Sequence, residues 1–334
     1  MHFQVAGHTI KNPDREPNGD AFIQVVAAQG AAVLAMLADG VGSCPCDWLA
    51  SQTACERLAK LANSVSADAT NAAGSLEQML HQIDRDIHTT EGRGRGMKCA
   101  AAVLLWLPGA ERAWFANVGD TRLYGFVDPE LVQISADDSQ AVVRRGTDGK
   151  PLLSGGATVV QRGITNALGS GNAKVAVQSM PLPAGGAVVL SSDGFYECSP
   201  EFESEIARVL RHADLDDALA ALCESYQGRN RDDATALILR RNYPALSDAQ
   251  LDQAIVGAGG SPRHAAVTAI GERLPDAVTN REENRVRLFF DYLDRNNIVL
   301  GKARVEGLLA QMGTVRWRDR HSFQALVEMR RQQS

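Results

Sequence analysis

Two segments of this chain run from apolar residues straight into Asp-Gly: AAVLAMLADGVGS at residues 31–43 and VVLSSDGFYE at residues 188–197. An apolar run of this length bounded by turn residues predicts a strand, and the glycine leaves the carboxylate before it uncovered. Further aspartates occupy the same kind of position. Asp20 in NGDAF precedes an apolar run, Asp120 in NVGDTRLYGF lies between two, and Asp232-Asp233 precedes TALIL. A single Asp-Gly is ordinary turn chemistry. Repeated at strand ends along the chain, it constrains the fold much more, because carboxylates gathered from separate strands repel one another and need a cation. Hard divalent ions bound through oxygen are the matching partner.

The strands that would deliver them read as residues 21–27, 31–38, 99–107, 113–118, 122–127, 187–192 and 235–240, each bounded by Gly, Asp or Pro. Consecutive short strands suggest antiparallel hairpins. Between them, SLEQMLHQIDRDI predicts an amphipathic helix with Leu76, Met79, Leu80, Ile83 and Ile87 on one face and a capping box at Ser75 and Gln78. Asp47 to Val65 predicts another, with Leu58, Leu61, Ala62 and Val65 on its apolar side. Strand runs with helices between and after them mean an α+β layered domain. Residues 241–247 form a plausible boundary. From Ser247 onward the pattern is helical, with cap signals at Ser247, Ser261-Pro262 and Asn280, which predicts a domain over 1–241 followed by a small all-α C-terminal domain over 247–334.

Charge and composition narrow the function. The 334 residues carry a net charge of −6 with 45% hydrophobic content, which fits an ordinary globular protein and argues against one that lives on nucleic acid or on an anionic membrane. No signal peptide or membrane-length apolar run is visible, so the cytoplasm is the expected compartment. The cysteines at 44, 46, 55, 99, 198 and 223 lack paired metal-type spacing; no disulfides are expected, and Cys44-Pro45-Cys46 reads as a plain loop. From Arg281 to the end there are 11 Lys+Arg against 7 Asp+Glu, a basic helical appendage suited to packing on the acidic remainder or to recruiting a protein. DYLDRNNIVLGK lacks the alternating ligands and central glycine of a calcium loop.

The order of the motifs resembles the PPM-type (type 2C) metal-dependent Ser/Thr protein phosphatases, collinearly from about Gly7 to Arg240. Arg15-Glu16-Pro17-Asn18-Gly19-Asp20 is similar to the family's Arg-x-x-Asn-Glu-Asp opening, and Leu37-Ala38-Asp39-Gly40-Val41-Gly42 to its Asp-Gly-Met/His-Gly segment. Val118-Gly119-Asp120-Thr121-Arg122, Ala167-Leu168-Gly169, Ser192-Asp193-Gly194 and Asp232-Asp233-Ala234-Thr235 resemble its remaining motifs. The resemblance implies a four-layer α/β/β/α sandwich of two antiparallel sheets. It implies that Asp39, the Gly40 carbonyl, Asp193 and Asp232 hold a pair of Mg²⁺ or Mn²⁺ ions, that Asp20 acts through water, and that Asp120 serves a weaker third ion. Arg15 would hold the substrate phosphate. Partners implied are phosphorylated proteins, a Ser/Thr kinase or its substrate among them.

The chemistry suits those residue types on its own terms. Phosphomonoesters are very inert to water, and two cations about 3.5–4 Å apart can both lower the pKa of a water and clamp the phosphoryl group. Arginine adds a bidentate, always-charged grip. The departures from the family pattern are also informative. Gly19 stands where glutamate is usual, which removes an acidic contact and predicts weaker metal affinity. Val41 leaves leaving-group protonation to water, Asp138 replaces a histidine in Ser135-Ala136-Asp137-Asp138-Ser139, and Met97-Lys98-Cys99-Ala100 replaces Gly-Thr-Thr. Residues 140–165 would be the flap that touches substrate.

Two rival readings remain at this level. One is a pseudophosphatase that keeps the fold as a phosphoprotein-binding or regulatory module. The other is a thiol-dependent phosphatase, from the Cys223 to Arg229 spacing, although Cys223 follows Leu215, Ala218, Leu219 and Leu222 on a helix face and its loop lacks the glycines of an anion nest.

Overall fold

The computed structural model describes residues 3–241 except 109, 111, 128–129, 144, 155–156, 159, 184 and 213. Residues 242–334, and with them the expected C-terminal helical domain, lie outside the described residues. In chain order the elements are β1 (Phe3–Ile10), β2 (Asp20–Ala27), β3 (Ala32–Gly40), α1 (Asp47–Leu61), α2 (Ala72–His88), β4 (Cys99–Trp106), β5 (Arg112–Val118), β6 (Arg122–Val127) and β7 (Glu130–Gln133). There follow β8 (Ser139–Val143), β9 (Leu153–Ser154), β10 (Ala157–Thr158), β11 (Val160–Ile164), β12 (Gln178–Pro181), β13 (Ala187–Ser191), α3 (Asp193–Tyr196), α4 (Phe202–Arg211), α5 (Leu215–Tyr226) and β14 (Ala234–Arg241).

The strands form two five-stranded sheets, ordered β1-β14-β13-β6-β7 and β12-β5-β4-β3-β2. Each named pair within them is antiparallel. The central strands β3, β4, β13 and β14 are apolar on both faces, because both faces are covered. Along β3, Val33, Ala35 and Leu37 join the core between the sheets, whereas Leu34, Met36 and Ala38 join the core under α1 and α2. The other sheet divides in the same way: Val188, Leu190, Leu237 and Leu239 face inward, while Val189, Ala236 and Ile238 pack under α4 and α5. The period of two in a strand thus sorts one continuous apolar run into two cores, giving the expected four layers of helix, sheet, sheet and helix. At about 1.5–3 kcal/mol for each large aliphatic side chain buried, these three cores are the main driving force of the fold.

Local differences from the sequence reading have clear causes. Helix α2 begins at Ala72, so Ser75 lies inside it rather than capping it; its hydroxyl donates to the Ala72 carbonyl (3.0 Å) and accepts the Ser66 N–H (3.3 Å). The first long helix ends at Leu61, with a 3-10 turn over Ala62–Ser64. Strand β1 carries no apolar run, since Gln4, His8 and Thr9 interrupt it, and at Gly7 the missing side chain makes room for the Phe22 ring. In the segment expected to be the flap, β8 pairs with β11 and β9 with β10, outside both large sheets.

Candidate active site

The pairing registers place the strand-end aspartates near one another. Asp20 at the start of β2 sits directly opposite Asp39 near the end of β3. Asp193 opens α3 immediately after β13, and Asp232 precedes β14, the neighbour of β13 in the other sheet. Asp120 lies in the turn where the chain passes from β5 in one sheet to β6 in the other. A hydroxyl joins the sheets at this end: Ser192 donates to Asp20 Oδ2 (2.8 Å) and accepts the Thr235 N–H (2.9 Å).

The electrostatics show how closely these groups feel one another. Burial pushes the Asp39 carboxyl well above the usual carboxylate range, and the charges of Asp20, Asp193, Asp120 and Asp232 push it further. Burial likewise raises Asp20 to about 7; hydrogen bonds from Thr235 and Ser192 oppose the rise, and the Asp233 and Asp193 charges add to it. Asp193 is raised to about 6 by burial, then by Asp120, Asp232 and Glu197, against the Gly194 N–H. Asp20 Oδ1 is buried with no hydrogen-bond partner. Among the described residues no three His, Cys, Asp or Glu side chains already stand at metal-ligating spacing. The donor set is nonetheless all oxygen, mutually repelling, and includes an unsatisfied carboxylate oxygen, which is what a hard divalent cation would relieve. By the chemistry of their oxygens, Asp39, the Gly40 carbonyl, Asp193 and Asp232 are the groups that could hold such an ion.

Arg15 stands at the edge of this cluster. Its guanidinium donates to Asp232 Oδ1 (2.7 Å) and pairs with Asp47 at the start of α1. Burial works against its charge, but the Asp232 hydrogen bond and the charges of Asp232, Asp47 and Asp233 outweigh it and raise its pKa. Beside it, a groove of about 460 Å³ is lined by Asp193, Asp232, Glu197, Cys198, Arg229 and Arg231, space enough for a phosphorylated side chain.

The positioning roles of several residues escaped the sequence reading. Asp233 accepts the Asn12 N–H on Oδ1 and the Gly19 N–H on Oδ2, both at 2.7 Å, and so fastens the Arg15 loop to the start of β14. Asp84, buried on the inner face of α2, accepts the N–H groups of Gly169 (2.7 Å), Gly171 (3.1 Å) and Ala173 (3.1 Å), anchoring the segment around Ala167-Leu168-Gly169. A carboxylate among Leu80, Ile83 and Ile87 was a visible signal that it has a fixed task. Asp138 ties two loops together by accepting from Asn166 Nδ2 (2.8 Å) and Gly119 N (3.3 Å). Arg122 makes a bidentate pair with Asp137 and lies 3.8 Å from the Tyr196 ring centre, while the Tyr196 hydroxyl donates to the Asp120 carbonyl (3.1 Å). Together they fix the Asp120 turn.

The thiol reading does not survive. Cys223 is buried on α5, and burial pushes its thiol up to about 12, the reverse of what a nucleophilic thiolate needs. All six cysteines are free.

Comparison with known proteins agrees with this architecture. The Protein phosphatase 2C family matches residues 11–225, and the chain belongs to that family. Among solved structures it is similar to a serine/threonine phosphatase of S. agalactiae, with 20% identity, a TM-score of 0.58, and coverage of 71% of this chain and 98% of that one. It is also similar to the Mycobacterium tuberculosis serine/threonine phosphatase PstP/Ppp, at 19% identity and a TM-score of 0.57 over 73% of this chain and all 100% of that one. A third is PppA of Pseudomonas aeruginosa, described as a key regulatory component of T6SS, at 23% identity and a TM-score of 0.56 over 72% of this chain and 98% of that one. No curated protein sequence matches it. Among the described residues no helix is long and apolar enough to cross a membrane.

Proposed function

We propose that the chain hydrolyses phosphoserine and phosphothreonine esters on proteins with the help of two or three Mg²⁺ or Mn²⁺ ions. Asp39, the Gly40 carbonyl, Asp193 and Asp232 would hold the principal pair, with Asp20 acting through water and Asp120 serving the further ion. The observation that carries this reading is the gathering of buried, mutually repelling aspartates at strand ends, with Asp20 Oδ1 left unpartnered. When bound, such ions supply a water of lowered pKa and neutralise charge on the phosphoryl oxygens. The protein's own contribution is positional. Arg15 offers a planar, permanently charged fork to the phosphate, and the groove beside Asp193 and Asp232 receives the ester's peptide. With valine at 41, the leaving alkoxide takes its proton from water.

A phosphorylated Ser/Thr kinase or its substrate is the natural partner, and free cysteines suit the reducing cytoplasm. The competing reading, a module that binds phosphoproteins without turnover, draws on Gly19 and on the engagement of Arg15 by two carboxylates. Mn²⁺-dependent release of phosphate from a phosphothreonine peptide separates them. Release that is abolished by chelation and by Asp39→Asn supports the enzyme; no turnover at any Mn²⁺ concentration supports the module.

A further inference from the structure

Position 19 carries no side chain, yet the space it would fill is not free of carboxylates. A β-carbon built on Gly19 would lie 3.3 Å from Asp233 Oδ2, 3.8 Å from Asp47 Oδ2 and 4.0 Å from Arg15 Nη2. Asp47 comes from a different part of the chain, the first residue of α1, and its side chain keeps only 14% of its exposure. Its place is fixed from several directions. The residue before it, Cys46, takes a left-handed conformation (φ 50°) that turns the chain into the helix. The Asp47 carbonyl sits on Gly40 so closely that a β-carbon there would overlap it. Asp47 Oδ1 accepts the Trp48 N–H at 2.8 Å, leaving Oδ2 for the guanidinium. Nearby, Ser51 of the same helix donates to the Gly19 carbonyl (2.6 Å), which also accepts the Gly40 N–H (3.0 Å).

We propose that Asp47 is a positioning residue for Arg15, fixing its guanidinium from the start of α1. Arg15 is then held by carboxylates on two sides, Asp47 and Asp232, and packs over Gly42, whose would-be β-carbon lies 3.4 Å from Nη2. A guanidinium gripped at two points keeps its fork in one plane and arrives at a phosphate with little rotamer freedom left to lose. Glycine at 19 is the counterpart of this arrangement: a longer residue there would compete with Asp47 for the same nitrogen and crowd Asp233. The inference rests on Arg15 being the phosphate-binding arginine of the proposed function.

The test is a double-mutant cycle on the full chain, with inorganic phosphate as the probe and Mn²⁺ present, read as a phosphate dissociation constant by calorimetry. Asp47→Asn weakens phosphate binding about 10-fold, the scale of one charge-assisted hydrogen bond, while the same change in an Arg15→Ala background costs less than about 2-fold. With a phosphopeptide, Asp47→Asn raises KM more than it lowers kcat, a split that a merely structural defect would not produce. Asp47→Ser serves as the second variant where asparagine unfolds the protein. Phosphate binding that is untouched by Asp47→Asn, or equally weakened with Arg15 absent, overturns the proposal. Coupled phosphate binding without any turnover supports Asp47's role while sinking the enzymatic reading, and a wild-type protein that binds no phosphate overturns both.

Discussion

Ser192, just past the end of β13, and Asp20, at the start of β2 in the other sheet and 172 positions away, share a buried hydrogen bond of 2.8 Å in which the serine is the donor. The same oxygen accepts the Thr235 N–H at 2.9 Å. Replacing it with alanine removes a hydrogen bond from a buried carboxylate and leaves the buried Thr235 N–H without its side-chain acceptor. Ser192→Ala therefore destabilises the protein by about 3 kcal/mol, most of it desolvation left uncompensated. Urea unfolding with an unchanged m-value checks this; a loss below about 0.5 kcal/mol would show that the bond is not stabilising.

The acid–base behaviour of the aspartate cluster gives a second expectation, for protein kept free of metal. The Asp20 and Asp193 carboxyls are raised to about 7 and about 6, above the ordinary value of 3.8, chiefly by burial. A group with a raised folded pKa holds its proton more tightly when folded, so its stabilising contribution is complete below about pH 4 and disappears as pH rises through the folded values. In the presence of a chelator the melting temperature falls between about pH 4 and pH 7, and it falls less for Asp20→Asn. Mn²⁺ affinity moves the opposite way, strengthening over that range as protons cease to compete. Titration of melting temperature at each pH, with and without Mn²⁺, reads both.

Thiol chemistry provides a third. Burial raises Cys55 and Cys223 to about 12 and Cys99 well above its ordinary value, whereas Cys44 and Cys46 keep part of their surface exposed. Iodoacetamide at neutral pH labels Cys44 and Cys46 in the native protein and spares the three buried thiols until urea is added. Mass mapping of the labelled peptides checks the pattern. Rapid native labelling of Cys223 would contradict the burial on α5.

Asp84 supports a fourth. Its two oxygens accept three backbone N–H groups from the segment that follows β11, and asparagine offers a single acceptor oxygen in their place. Asp84→Asn costs about 2–4 kcal/mol and speeds hydrogen exchange at Gly169, Gly171 and Ala173 before it affects the sheets. Exchange that quickens uniformly across the protein would place the anchor elsewhere.

Much of this was legible because β3 and β13 are buried on both faces and lead into Asp-Gly. The runs leading to Asp39 and Asp193 could be read as strands from their apolar length, and their Asp-Gly ends pointed to a shared site. Strand β1 was not legible, because its residues acquire a partner, β14, only from the far end of the chain. Helix α2 starts earlier than its capping signal, and Ser75 inside it donates to the Ala72 carbonyl and accepts the Ser66 N–H from the loop before the helix. Asp233 and Asp47 were hidden for a related reason. Their task is to receive donors from residues 221 and 32 positions away, and a single sequence does not display that distance. Asp84 escaped as well, although a carboxylate on the apolar face of a helix is a visible signal that it accepts donors from elsewhere.

Anomalous X-ray scattering from a crystal of the full chain soaked in MnCl₂ tests most directly whether these aspartates form a cation site. Strong manganese peaks bounded by Asp39, the Gly40 carbonyl, Asp193 and Asp232 are the expected result. Asp39 and Asp193 turned apart with no manganese between them would contradict it.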